Sequence, residues 1–118
     1  MQNNRKVGKK DEQIAGEYLK RQGYEIIRNN YFCKAGEIDL IAREGGYLVF
    51  VEVKYRKNKS AGWGMEAVDK NKQRRISRCA IFYLMEHSLS FEQPIRFDVI
   101  SIDCDQITLI KNAFFYQP

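Results

Sequence analysis

The sequence predicts a single α+β domain (α/β by some schemes) in which a central mixed sheet is flanked by helices, in the order αβββαββ. Three observations predict it. Two segments carry apolar residues at helical spacing, five shorter segments read as extended runs, and a glycine pair joins the second and third of those runs as a tight hairpin. At 118 residues the chain is long enough for one core between packed layers and too short for two domains. A hydrophobic fraction of 44% and an aromatic fraction of 13% suit a globular core, and two prolines with eight scattered glycines leave no low-complexity segment.

From about Gly8 to Gln22, Ile14, Ala15, Tyr18 and Leu19 repeat at helical spacing, and Gly23 supplies the stop. Three extended runs follow, Tyr24 to Phe32, Gly36 to Arg43 and Tyr47 to Arg56. The Glu44-Gly45-Gly46 turn makes the last two antiparallel neighbours. Lys57 to Gly64 reads as a polar, glycine-bearing loop. Beyond it, Met65, Val68, Ile76, Cys79, Ala80, Tyr83 and Leu84 mark one stripe of a helix of roughly twenty residues, with Lys70, Arg74 and Arg78 on another face. After the Ser88 to Pro94 connection, Ile95 to Asp103 and Gln106 to Asn112 form the last two strands around a Cys-Asp turn.

The stretch GEIDLIAREGGYLVFVEVKYR places ionised groups inside strands that otherwise read as buried. Charges cost free energy when taken out of water, so their position needs a cause. In the third run Leu48, Phe50, Glu52, Lys54 and Arg56 alternate with Val49, Val51, Val53 and Tyr55, and both faces are apolar until Glu52. Such a strand is central and covered on both sides, and Glu52 and Lys54 stand where it emerges from the core. In the second run Glu37 and Asp39 are expected to share a face with Ile41, opposite Ile38, Leu40 and Ala42. The hairpin then brings Asp39, Glu52 and Lys54 to one spot with Glu37 at its margin.

Carboxylates held together repel unless a cation lies between them. Mg2+ suits such a site, since it prefers oxygen ligands and retains waters that substrate phosphates can replace. Lys54 points to the same side as Glu52 and could orient a metal-bound water or stabilise charge developing on phosphorus. A bland alternative exists for each part, with Glu52 and Lys54 as a strand-end ion pair and Asp39 as a turn cap. Charges that interrupt two neighbouring apolar strands at corresponding places favour a phosphodiester-hydrolysis site over that alternative.

Asp39 followed by Glu52-Val53-Lys54 resembles the PD-(D/E)xK motif of restriction-endonuclease-like nucleases, a group that includes Holliday-junction resolvases. More closely, DEQIAGEYLKRQGYEIIRNNY, GEIDLIARE, LVFVEVKYRKN, AVDKNKQRRISRCAIFYL, RFDVISID and the final NAF resemble, in order, the YraN family of small bacterial proteins. The resemblance covers nearly the whole chain. It implies a restriction-endonuclease-like fold and leaves the cellular role open. By position, Asp39 and Glu52 match the metal-binding acids and Lys54 the catalytic lysine, with Glu37 in support. Related nucleases also use an acid on the first helix, for which Glu12 is the candidate, three residues before Ala15 and seven before Leu19. Asp11 stands where the family usually has glycine, and Ile38 stands where the wider motif has proline. Gln73 matches a glutamine on the corresponding helix of some of these nucleases. Arg96 and Asp98 are expected to pair with each other or bind backbone.

The leading expectation is a nuclease dependent on Mg2+ or Mn2+ that acts on DNA, branched or single-stranded. Arg56, Lys57, Lys59, Lys70, Arg74, Arg75 and Arg78 would contact phosphates, Gln73 would adjoin them, and Trp63 could stack on an unpaired base. The net charge of +5 and a pI near 9.2 fit a polyanion partner. Resolvase-like nucleases often act as homodimers because two strands must be cut, although no dimer face is legible here. The alternative is a non-catalytic nucleic-acid-binding or scaffold protein on the same fold. A kinase is excluded, since VEVK lacks a Gly-rich loop, an HRD or a DFG segment. Without an apolar run near twenty residues, and with no apolar stretch in MQNNRKVGKK, no membrane association is expected and the location is read as cytoplasmic. Cys33, Cys79 and Cys104 lack metal-ligand spacing and read as reduced, mostly buried small residues, and His87 as a surface or helix-end residue.

Overall fold

In the computed structural model, residues 9–56, 68–104 and 106–118 are described. Helix α1 spans Lys9–Arg21, strands β1, β2 and β3 span Glu25–Cys33, Gly36–Glu44 and Tyr47–Arg56, helix α2 spans Lys70–Glu86, and strands β4 and β5 span Ile95–Asp103 and Gln106–Phe114. The order αβββαββ is the expected one. The expected loop from Lys57 to Gly64, with Lys57, Lys59 and Trp63, lies outside the described residues, as do Met65 and the side chain of Arg56.

The five strands lie in sequence order across one mixed sheet. Gly45 and Gly46, with φ of 58° and 85°, adopt the left-handed backbone that a two-residue hairpin requires, and they close β2 on β3 with Glu44 opposite Tyr47. The β3–β4 pair is parallel, and its crossover carries α2 across one face of the sheet. Strand β3 is therefore central, as its two apolar faces required. Leu48 and Phe50 pack with Ile76, Cys79, Ala80, Tyr83 and Leu84 of α2, while Val49, Val51 and Val53 pack with Ala15 and Leu19 of α1. Along α1, Glu12, Ala15, Gly16 and Leu19 form the buried stripe, whereas Ile14, expected on it, is partly exposed.

Two boundaries and the facing of one strand differ from expectation. Helix α2 starts at Lys70, because Asp69 takes an extended backbone and its side chain accepts a hydrogen bond from Lys72 N at 2.9 Å. Val68 is thus buried ahead of the helix rather than within it. Strand β5 continues through Asn112, whose φ of 54° accommodates a bulge, to pair Phe114 with Phe97. In β2, Ile38 packs on the α2 side with Ile41, while Leu40 and Ala42 pack on the α1 side. The expected alternation breaks at Asp39, so Ile38 does not share a face with Leu40.

The cause of that break is a fork in the sheet. Pairing between β2 and β3 ends at Leu40 opposite Val51, although β2 begins earlier, at Gly36, and β3 runs on to Arg56. Beyond that point β2 stays paired only with β1, as far as Cys33 opposite Gly36, and β3 only with β4, as far as Arg56 opposite Asp103. On β1, Asn30 adopts a φ of 54° beside the break.

Candidate metal and nucleic-acid site

A fork leaves backbone groups without ladder partners, and burying them unpaired would be costly. Asp39 fills that need: its Oδ2 accepts a hydrogen bond from Val53 N at 2.8 Å, in place of a carbonyl from β2. The carboxylate is thereby drawn into the gap between the strands and buried there. Glu12 reaches the same place from the first turn of α1, with Asn30 Nδ2 donating to its Oε1 at 2.9 Å. Glu37 reaches it from the start of β2. Carboxylate oxygens of Glu12, Glu37 and Asp39 all lie within 4.8 Å of one another.

Glu52 is buried next to this group but outside it, and its Oε2 is held by Lys72 Nζ at 3.2 Å. Lys54 is half-buried two residues further along β3. The cluster is electrostatically unfavourable by itself. Burial, and then the charges of Glu52 and Glu37, push the Asp39 carboxyl up to about 8, against the opposing pull of the Val53 N–H and Lys72. A divalent cation would relieve that repulsion. Six oxygens at about 2.0–2.1 Å from Mg2+ stand roughly 3–4 Å apart, so small adjustments would bring these three carboxylates onto one ion. The donor set is all carboxylate oxygen, which suits Mg2+ or Mn2+. Along the group lies a cleft of about 330 Å3 lined by Glu12, Gln13, Asn29 and Asn30.

The expected site residues therefore fall into three sets. Glu12, Glu37 and Asp39 meet, and Glu52 and Lys54 flank them on β3. Lys70, Arg74 and Arg78 line α2, with Lys70 and Arg78 exposed and Arg74 half-buried. Lys70 Nζ is 3.4 Å from Gln117 Oε1, and Arg74 Nη2 donates to Asn71 Oδ1 at 3.1 Å. Gln73 turns back to donate to the Val68 carbonyl at 2.9 Å, which ties the helix start to the preceding backbone. Lys57 and the Arg56 side chain lie outside the described residues.

Sequence reasoning missed Lys72 and Asn30. Lys72 stands four residues before Ile76 and seven before Cys79, which puts it on the inward stripe of α2, and that spacing could have singled it out. Nothing in the pattern of β1 singles out Asn30. Arg96 and Asp98 pair as expected. Asp98 is fully buried and accepts from Arg96 Nε and Nη2, Tyr24 Oη and Asn112 N at 2.6–2.9 Å. His87 caps the end of α2 and packs against Tyr83.

Among the described residues no helix is long and apolar enough to cross a membrane. The profile of the Uncharacterised protein family UPF0102 matches residues 11–102. A UPF0102 protein of Lachnoclostridium phytofermentans is 52% identical over 112 residues, covering 94% of this chain and 95% of its own. One from Legionella pneumophila is 47% identical over 91% of this chain and 92% of its own. A third, from Syntrophus aciditrophicus, is 44% identical over 97% and 92%. The acids at the fork all lie within the matched span, and the chain belongs to the UPF0102 family, the YraN family whose motifs its sequence resembles.

Proposed function

We propose that the protein is a nuclease dependent on Mg2+ or Mn2+ that hydrolyses phosphodiester bonds in DNA, branched or single-stranded. The observation that carries this reading is the convergence of Glu12, Glu37 and Asp39 in the sheet fork, where two buried acids and one half-buried acid lie together. Those three would hold the cation, and Glu52 would add a fourth carboxylate on release from Lys72. A bound cation would supply Lewis-acid polarisation of a phosphoryl oxygen and lower the pKa of a coordinated water. The protein's own groups do the rest. Asn30 holds Glu12 in position, and Val53 N–H holds Asp39. Lys54 stabilises negative charge as it develops on the phosphate and orients the attacking water. Lys70, Arg74 and Arg78 take neighbouring phosphates along α2.

The ion pair between Lys72 and Glu52 favours a second reading, because it satisfies Glu52 without any metal. In that reading the protein binds nucleic acid on the same fold without turnover. Calorimetric titration of Mg2+ and Mn2+ into wild type and an Asp39→Asn/Glu37→Gln variant separates the two, with linear, branched and single-stranded DNA incubated in parallel. The nuclease reading expects metal binding and metal-dependent cleavage in wild type, both lost in the variant. Salt-weakened DNA binding with no metal binding and no product would overturn it in favour of the second.

A further inference from the structure

Away from the acids, the far end of β1 and the middle of α2 bring two cysteines into contact. Cys33 Sγ and Cys79 Sγ stand 2.9 Å apart, and both are free thiols. A disulfide bond length of about 2.05 Å would require them to approach by roughly 0.9 Å. The contact is built from both sides. Cys33 is the last residue of β1 and pairs with Gly36, whose missing side chain leaves Cys79 Sγ 3.8 Å from where a Cβ would stand. Cys79 is fully buried on the inner stripe of α2, between Ile76 and Tyr83.

The two sulfurs are not equivalent. Cys33 is half-buried, so small molecules can reach it, and its Sγ accepts a hydrogen bond from Ala35 N at 3.3 Å. Cys79 has no access to solvent, and burial together with the Cys33 contact pushes its thiol up. One thiol is thus placed to react first and the other to resolve it.

The geometry points to a reversible redox site in which a hydroperoxide oxidises Cys33 and Cys79 closes a disulfide between β1 and α2. The Cys33 thiolate attacks one oxygen of hydrogen peroxide, breaks the O–O bond and expels hydroxide, which leaves with the thiol proton as water. The product at Cys33 is a sulfenic acid. The Cys79 sulfur then attacks that sulfur, and the sulfenic oxygen leaves as a second water with the Cys79 proton. Two thiols lose two electrons, one peroxide gains them, and two waters form. A dithiol reductant reverses the step by exchange. The bridge would pin the Lys34-Ala35 turn, which leads into Glu37, to the helix that carries Lys72. It requires neither metal nor nucleic acid, so its test stands apart from nuclease activity.

The full chain, reduced and then treated with stoichiometric hydrogen peroxide, is digested under non-reducing conditions and mapped by mass spectrometry. A Cys33–Cys79 cross-linked peptide should form, and intact mass should fall by about 2 Da for the two hydrogens lost, reversibly with dithiothreitol. Closing so long a loop should raise the melting temperature by on the order of 10 °C. Cys104→Ser should behave as wild type, whereas Cys33→Ser and Cys79→Ala should form no bridge. Cys79→Ala should accumulate sulfenic acid at Cys33, detectable by dimedone trapping. Sulfinic acid at Cys33 without a bridge in wild type, or intermolecular Cys104 dimers with Cys33 and Cys79 unmodified, would overturn the assignment.

Discussion

Asp39 and Asp98 are both buried aspartates on sheet strands, and the surroundings of each carboxylate separate them. Asp98 accepts two hydrogen bonds from the Arg96 guanidinium, one from Tyr24 and one from Asn112, so its charge is matched inside the fold. Asp39 has one backbone N–H from Val53, with Glu12 and Glu37 in contact range and Glu52 alongside. Its carboxyl is pushed up to about 8 from an ordinary value of 3.8. In the metal-free protein the folded state then keeps a proton that the unfolded chain releases. That contribution is fully present below about pH 4 and is lost as pH rises through 8, at up to about 1.4 kcal/mol per pH unit. Urea denaturation in EDTA at pH 5, 7 and 9 should show wild type losing stability with pH, and Asp39→Asn should lack that slope. Added Mg2+ should restore wild type at pH 9 and leave the variant unchanged. The positions of Asp39, Glu52 and Lys54 were legible because charges interrupt alternating apolar strands. The hydrogen bond to Val53 was not, because it depends on where pairing stops, which no local pattern encodes.

That stopping point belongs to β2 and β3 together. The Tyr47–Arg56 and Ile95–Asp103 strands could be read from residue patterns because apolar periodicity and turn residues agree there. The fork could not, because β2 keeps strand-like residues on both sides of Asp39 while it changes the face on which they pack. Glu12 was legible through its spacing to Ala15 and Leu19, but Glu37 was expected only at the margin, whereas its carboxylate lies within 4.8 Å of those of Glu12 and Asp39. The start of α2 was misplaced for a related reason: Val68 fits the helical stripe, yet Asp69 caps the helix one residue later. The cap sets the phase that carries Lys72 inward to Glu52. Lys72→Met should therefore act on two elements, leaving Glu52 buried without its cation. Because the Lys72 side chain is about a third exposed at 35%, the cost is a discounted 1–2 kcal/mol or so in metal-free urea denaturation. Mg2+ should recover more stability in this variant than in wild type, since the freed Glu52 adds negative charge beside the cation. Equal recovery in both proteins would place Glu52 outside the metal's influence.

Across the molecule, the sheet separates two cores, one under each helix, and the fork is the place where acids from α1 and β2 meet, with Glu52 of β3 alongside. On the nuclease reading, such a site needs a surface that brings a polyanion to four acids without repelling it, and the net charge of +5 has to be distributed accordingly. Helix α2 would provide that surface. Its inner stripe is apolar, while Lys70, Arg74 and Arg78 recur on another face, beside the helix end where Lys72 meets Glu52. If DNA phosphates lie along this face, binding releases condensed counterions in proportion to the contacts made. The slope of log affinity against log salt then falls by about 0.9 for each duplex phosphate contact removed. An Arg74→Ala/Arg78→Ala variant removes two cations, of which Arg78 is exposed and Arg74 half-buried, and should keep the fold, checked by its melting temperature. Fluorescence anisotropy with labelled duplex over a salt series should show the slope reduced by roughly two, with weaker binding at every salt concentration. Mg2+ titration of the same variant should be unchanged, because neither arginine belongs to the carboxylate group. A salt slope equal to that of wild type would place the phosphates on another face and detach α2 from recognition, leaving the acidic fork to be reached from the α1 side.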